Sequence, residues 1–563
     1  MPVSVRLHHW PWSVDVPEES VDDVDDEIVF QFFGSPVLSV IKDARVLLAT
    51  RYEKFIPLGS FSAKRIGINI LEMPHGILST SNSNNGEFLI HFNGILKKII
   101  IETEGARRRT RDNSGKETRW ARIVLSWSQF FDDLIEERKI EEGNATKIKW
   151  STVLNFLKTQ INDIQQPRLS LIVRIAEELH TTIPQTVAGM RRILIRERTL
   201  QRINRINEMD VNCLQWYIRQ PGNNMAEKGG RKQELLSIIR KESFDVLENR
   251  VLKDFLCRCK DESLRYKDSE INDQPHFSNS KRAQIINRFR EICSRSLNNP
   301  NLADVPKAGS GVRPNYVLQN DLRYRNIWDW YCRLLRKEEE EDRFWDWQAR
   351  TWSDIVRLLI NVAIVNLTFE NPQRDGIYIK QKLRSSLHVT QEQILGSRTR
   401  SGSEPGPFVI ERVKNGIPSS VAILEVVHPD NAHLHFLTRN LGRTGGHLYI
   451  VIRPLDSELK DLVLIIWGIN TAGSNQKIPW ENISDSASNA LAFHSNILAG
   501  ERLAKIPALK GLIVANTLDD EPPTVINENT NAPLAIIPSD PNFWSEHLDY
   551  LSLLLDDRLE KLI

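Results

Sequence analysis

One carboxylate stands in an apolar run. Val421-Ala-Ile-Leu-Glu425-Val-Val427 reads as a buried β-strand with a single acidic side chain, followed by His428-Pro-Asp430. Metal-assisted phosphodiester hydrolysis uses residues of this kind. In one arrangement of these groups, two carboxylates hold Mg²⁺ and a lysine two positions beyond the second activates water or balances charge growing on the phosphate. Glu425 suits the second carboxylate and is the metal ligand if there is one. The lysine's position holds Val427, which can do neither job. The strand is therefore nuclease-like with an incomplete set. The plain alternative is a core strand with one satisfied glutamate.

The elements that must position such a strand belong to a large soluble chain. Its 563 residues exceed one core, and about three domains are expected. Hydrophobic residues make up 40% and charged residues 26%, with 74 Lys and Arg against 73 Asp and Glu, so any nucleic-acid surface must be local. No apolar run is long enough for a membrane span, and Met1-Pro-Val-Ser-Val-Arg lacks a signal-peptide core, which points to the cytoplasm. Five scattered cysteines do not make a disulfide framework, and Cys257-Arg-Cys259 is too tight for a zinc knuckle. There is no Gly-x-x-x-x-Gly-Lys-Ser/Thr loop and no Gly-x-Ser-x-Gly elbow.

The pattern predicts multidomain α+β architecture in three parts. Residues 1–145 are expected to be β-rich, from alternating runs such as Ile28-Val-Phe-Gln-Phe-Phe, Phe88-Leu-Ile-His-Phe and Ile95-Leu-Lys-Lys-Ile-Ile-Ile101. Arg107-Arg-Arg-Thr-Arg111 lies in a polar stretch that reads as an exposed loop or a phosphate contact. Residues 146–370 read as helical, with Val153, Leu154, Leu157 and Ile161, then Leu169, Ile172, Ile175, Ala176 and Leu179, at helical spacing. The aromatic stripe Trp328, Trp330, Tyr331, Phe344, Trp345, Trp347 and Trp352 reads as packing rather than a base-stacking platform. Residues 371–563 read as mixed α/β, with strands at Phe408, Val421, His447, Leu462 and Gly511 and helices near Ser484–Leu503 and Phe543–Leu562.

Two blocks of the middle segment carry a resemblance. The first comprises Arg191-Arg-Ile-Leu-Ile-Arg-Glu-Arg198, Met209-Asp-Val-Asn-Cys-Leu-Gln-Trp216, Arg219-Gln-Pro-Gly222 and Phe244-Asp-Val-Leu-Glu-Asn-Arg-Val251. The second comprises Pro314-Asn-Tyr-Val-Leu-Gln319, Arg323-Tyr-Arg-Asn-Ile-Trp328 and Trp345-Asp-Trp-Gln-Ala-Arg350. Together they resemble the McrC-like proteins of bacterial restriction and phage-defence loci, over roughly residues 185 to 370. In that family a domain of unassigned function, carrying Asp-x-x-Glu-Asn-Arg, precedes a PD-(D/E)xK nuclease domain.

The resemblance implies a restriction-endonuclease-like sheet at residues 371–563. Its first acidic residue would be Glu411 of Pro407-Phe-Val-Ile-Glu411, a glutamate at a shifted position; Lys414 and His428 are nearby substitutes for the lysine without its spacing. It also implies a defence component that binds DNA and works with an AAA+ NTPase encoded elsewhere. The alternatives are an active Mg²⁺-dependent endonuclease and a non-catalytic interaction scaffold. Asp245, Glu248, Asn249 and Arg250 form the motif. Read physically, Asp245 caps a helix starting near Val246, Glu248 makes its first turn acidic, and Arg250 meets an acidic partner or a phosphate. Arg107, Arg108, Arg109, Arg111, Arg191 and Arg192 are the candidate DNA contacts.

Overall fold

The computed structural model describes short strands between residues 6 and 103 by their backbone, and residues 10–13. From 118 to 560 it describes all but residues 137–140, 143–144, 160–166, 168–169, 273–274, 310, 369–375, 382–384, 395–396, 416, 472–477, 501–505 and 519–521. The chain forms two compact units, residues 164–337 and residues 1–163 together with 338–563. These units divide near 163 and 337, where the sequence pattern placed divisions at 145 and 370.

The physical reason lies in what the flanking helices bury. Arg119–Glu136, Trp150–Thr159 and Gln348–Asn366 share one core with the C-terminal sheet. Helical period told the type of element, not the core it joins. Ala145–Lys149 likewise pairs with Ser386–Ile394, joining stretches more than 200 residues apart. The stretch expected to be β-rich also holds the helix Arg119–Glu136, in which Trp120, Ile123, Val124, Trp127, Phe131 and Leu134 are buried at helical spacing.

In the N-terminal region strands form two sheets. One runs Ser20–Val21, Arg6–His8, Val37–Ile41, Ile68–Glu72; the other runs Glu27–Phe30, Ile95–Thr103, Asn85–Phe92, Arg45–Ala49, Phe55–Pro57.

The large mixed sheet has eight strands, in the spatial order Gly376–Gln381, Phe408–Lys414, Ile417–Val427, Leu448–Pro454, Leu462–Ile469, Ala508–Thr517, Leu534–Pro538 and Thr524–Ile526. The first five are antiparallel; the pairs 462–469/508–517 and 508–517/534–538 are parallel. Trp480–Gly500 makes the crossover that a parallel pair requires. Leu462–Ile469 is buried at every position, so both of its faces must be covered. Gln348–Asn366 lies on this strand so closely that a Cβ on Gly468 would stand 3.1 Å from Ser353 Cα.

Six indoles show how the aromatic residues pack. Trp127 and Trp352 have centroids 5.8 Å apart, and Trp544 meets Phe130 at 4.9 Å. Each ring keeps a polar partner, as a buried indole should. Trp120 donates to Gln348, Trp127 to the Ser539 carbonyl, Trp150 to Ser403, Trp352 to Val514, Trp467 to Thr444 and Trp544 to Pro538.

The other unit packs Leu171–Leu179, Leu247–Tyr266, Lys281–Leu297 and the start of Leu322–Asp346 around Val251, Phe255, Cys259, Ile286, Phe289, Ile327 and Tyr331. Its helices are interrupted by two strands. Ile193–Arg202 and Glu234–Ser243 pair over ten residues as an antiparallel hairpin, so the Arg191–Arg198 block lies on a strand. Among the described residues, no helix is long and apolar enough to cross a membrane.

Candidate functional site

Glu425 lies on Ile417–Val427 and Glu411 on the neighbouring strand, but the two are not brought together. Glu411 faces Ser420 in the register, five positions from Glu425, or roughly 15 Å along the strand. Metal-bound carboxylates must reach one ion at about 2.0–2.6 Å. Glu425 is occupied otherwise: one of its oxygens accepts from Arg453 Nη2 and, at 3.1 Å, from His435 Nε2. Burial pushes this carboxyl up, but the hydrogen bonds from His435 and Arg453 outweigh it and hold the group below its ordinary range. The Phe436 ring joins the cluster, stacked on His435 at 5.3 Å with the Arg453 guanidinium at 5.3 Å. The glutamate thus fastens the loop after its strand. Lys414 ends the strand that carries Glu411. Among the described residues, no group of three His, Cys, Asp or Glu could hold a metal ion.

The carboxyl ends of the parallel strands, where open α/β sheets bind ligands, carry amides instead. Asn516 donates to Asn470 at 2.7 Å and accepts from the Thr471 amide at 2.6 Å, while Gln348 accepts from Trp120. All four polar residues, Gln348, Asn470, Thr471 and Asn516, are buried. This neutral network was not found from the sequence, because its members are spread over about 170 positions.

The second constellation surrounds the Asp-x-x-Glu-Asn-Arg block. The helix starts one residue later than expected, at Leu247, with Val246 as a cap that offers no side-chain bond. Asp245, one position too early to cap, instead takes a two-pronged bond from Arg250 at 2.5 and 2.8 Å. That pairing lowers the Asp245 pKa. Glu248, nearly fully buried, accepts from Arg191 at 3.0 Å and Asn315 at 2.9 Å. Asn249 donates to the carbonyls of Arg191 and Phe244, both at 2.8 Å, and accepts from the Tyr324 hydroxyl at 2.7 Å. The block therefore ties the base of the hairpin to two later helices.

The hairpin itself is exposed. Arg192 pairs with Glu242, Arg196 with Glu208, Arg198 with Asp210 and Arg240 again with Glu208. Asp210 caps Val211–Arg219, accepting from the Cys213 amide at 2.9 Å. The hydrogen bonds from Arg198 and Cys213 hold its carboxyl far below the ordinary range. The sequence reading also missed a set of exposed apolar side chains here. Ile193, Leu194, Ile195, Leu200, Val211, Leu214, Ile218 and Met225 all face solvent, and Val211, Leu214 and Ile218 form one stripe on their helix. Arg107, Arg108, Arg109 and Arg111 lie outside the described residues.

Residues 138–331 match a family model described only as a domain of unknown function, DUF2357. Among curated proteins, none matches this chain. A solved assembly of Thermococcus gammatolerans McrB AAA+ hexamers with bound McrC is similar at 8% identity, covering 89% of this chain and 86% of that one with a TM-score of 0.21. A likeness that slight carries no argument about this chain.

Proposed function

We propose that this chain is the non-motor component of a bacterial restriction or anti-phage defence system. It docks an AAA+ NTPase through the hairpin module of residues 191–243 and engages DNA without cutting it. One observation carries the reading: eight exposed large apolar side chains fall between residues 193 and 225. Monomeric surfaces rarely expose such a concentration unless something covers it. The module also holds twelve Lys and Arg against six Asp and Glu, a net of +6, in a chain that is almost neutral. That suits an acidic partner surface. The resemblance of the two middle blocks to McrC-like proteins names the partner class, and the lack of a phosphate-binding loop leaves nucleotide hydrolysis to another chain. DNA would be contacted electrostatically, through Arg107, Arg108, Arg109 and Arg111 and through Arg191 and Arg192, the latter two exchanging Glu248 and Glu242 for phosphate.

The test mixes the full chain with an AAA+ NTPase encoded beside it and follows both co-elution and nucleotide hydrolysis. A complex with stimulated hydrolysis is expected. Leu194→Asp combined with Ile218→Asp should abolish it while leaving the fold intact, because both side chains already face water. The reading fails if no complex forms or if the double variant binds as well as the original chain.

A further inference from the structure

Trp10-Pro-Trp-Ser13 is distant from the C-terminal sheet in sequence but packs on it in the fold. Pro11–Ser13 is a single turn, closed by Ser13 N donating to the Trp10 carbonyl at 3.1 Å, and its three residues are buried. The Trp12 ring lies edge-on to Trp467 of Leu462–Ile469 at 5.3 Å and stacks with Trp10 at 5.3 Å. Its Nε1 donates to the Ser486 hydroxyl of Trp480–Gly500 at 2.9 Å. A turn this short cannot hold itself, so burial of the indole is what fixes it.

The turn presses on the end of the loop 428–447. Pro11 meets Gly445, at φ +60°, so closely that a Cβ there would overlap the Pro11 carbonyl oxygen and stand 2.6 Å from its carbon. Gly445 follows Gly442–Thr444, and the Thr444 carbonyl accepts from Trp467 at 2.8 Å. Within the loop, Ala432, Leu437 and Leu441 share one apolar cluster with Trp12 and Trp467. Thr438, also buried, donates its hydroxyl to the Ala432 carbonyl at 2.8 Å and its amide to the His435 carbonyl at 3.1 Å. These turns hold His435 in place, and its Nε2 reaches Glu425 at 3.1 Å. A continuous run of packed groups thus leads from Trp12 to Glu425.

We infer that Trp10–Ser13 is a removable clamp on the loop 428–447, and that its seating keeps Glu425 engaged by His435. Residues 10–13 belong to no strand ladder, so the clamp can leave without unpairing the sheet beneath it. With it gone, Ala432, Leu437 and Leu441 lose their apolar cover, the loop opens, and the carboxylate keeps only Arg453. The clamp does not depend on the function proposed above, and Glu425 need not hold a metal for it to act.

Hydrogen exchange of the full chain tests this, read on the amides of residues 432–444 beside those of Arg119–Glu136 and Lys281–Leu297. Trp12→Ala should speed exchange in the loop about tenfold or more and leave the two reference helices unchanged. Gly445→Ala, which pushes the turn away from the opposite side, should do the same. A synthetic peptide of residues 6–15 should restore protection in the Trp12→Ala chain, and the same peptide with alanine in place of its second tryptophan should not. Chemical denaturation supplies the link to the carboxylate: Glu425→Gln should lower the stability of the unaltered chain and lose most of that effect in the Trp12→Ala background. Unchanged loop exchange in a folded chain of either variant would overturn the inference. Equal losses in the loop and the reference helices, or additive effects of the two substitutions, would also overturn it by making Trp12 a core residue only. A peptide that restores nothing would overturn it too, since the segment would then not be separable from the fold.

Discussion

Residues of one motif are held by very different means, and their substitution should separate accordingly. Asn249 is fully buried and uses its amide for three bonds, whereas Arg250 and Asp245 form an exposed pair. Exposed pairs contribute little, but an orphaned buried polar group costs about 1–3 kcal/mol. Asn249→Ala should therefore destabilise the chain by about that amount in chemical denaturation, while Arg250→Ala should barely move the transition. A cycle with Tyr324→Phe should show coupling, since the Tyr324 hydroxyl bonds Asn249 directly. Glu425 offers a pH test. Its carboxyl is lower in the folded chain than in the unfolded one, so the folded state binds its proton less readily. The resulting stability is full above the unfolded carboxylate range, near pH 4.3, and is lost as pH falls through the folded value. Glu425→Gln should lower stability at neutral pH and flatten the acid limb, so that the two curves converge once pH falls below the folded value. An unaltered acid limb would mean that the Arg453 and His435 contacts do not favour the charged form.

Elements were legible where one local pattern decided them. The apolar run at Leu462 becomes a strand buried at every position, the run at Val421 one buried at Ala422, Leu424 and Val427, and the spacing around Ile172 becomes a helix. What the residues near 191 hid was the partner strand: Arg196 faces Arg240 across the hairpin, 44 positions away, and no local period announces that register. The same limit kept Glu411 and Glu425 looking like a pair. They share adjacent strands, and only the register with its irregularity at Ile410/Glu411 separates them. A cap can be wrong by one residue for a similarly small reason. Val246 has the extended backbone of a cap, φ −124° and ψ 157°, but no side-chain acceptor. Val246→Thr keeps the branched shape and adds a hydroxyl able to accept from the first-turn amides. It should stabilise the chain by about 0.5–2 kcal/mol, read as a higher denaturation midpoint with unchanged slope. A loss of stability would show that the valine methyls outweigh the missing cap.

For the whole molecule, the arrangement of groups speaks against cleavage of DNA by this chain alone. The sheet supplies a parallel pair of strands closed by a helix, but the ends of those strands carry a satisfied amide network. The strand with an acidic residue has that residue committed to Arg453 and His435. An ion brought to Glu425 would have to displace a guanidinium, and Glu411 lies too far along the register to share it. Among the described residues no carboxylate cluster that could hold a metal ion forms, and loss of one such electrostatic contribution costs about 10²–10³ in rate. Supercoiled and linear DNA incubated with the chain and Mg²⁺ or Mn²⁺ should therefore remain intact, beside a Glu425→Ala control that behaves the same. Efficient cleavage that vanishes with Glu425→Ala would make that glutamate a metal ligand after all. Cleavage that survives the substitution would place the chemistry elsewhere in the chain or in a contaminant. Cleavage that appears only when an AAA+ NTPase is added, as the proposed function would have it, would mean that the catalytic groups come from that protein or from a rearranged sheet. The Glu425→Ala chain, tested in the same mixture, separates those two: it should cut normally in the first case and fail in the second.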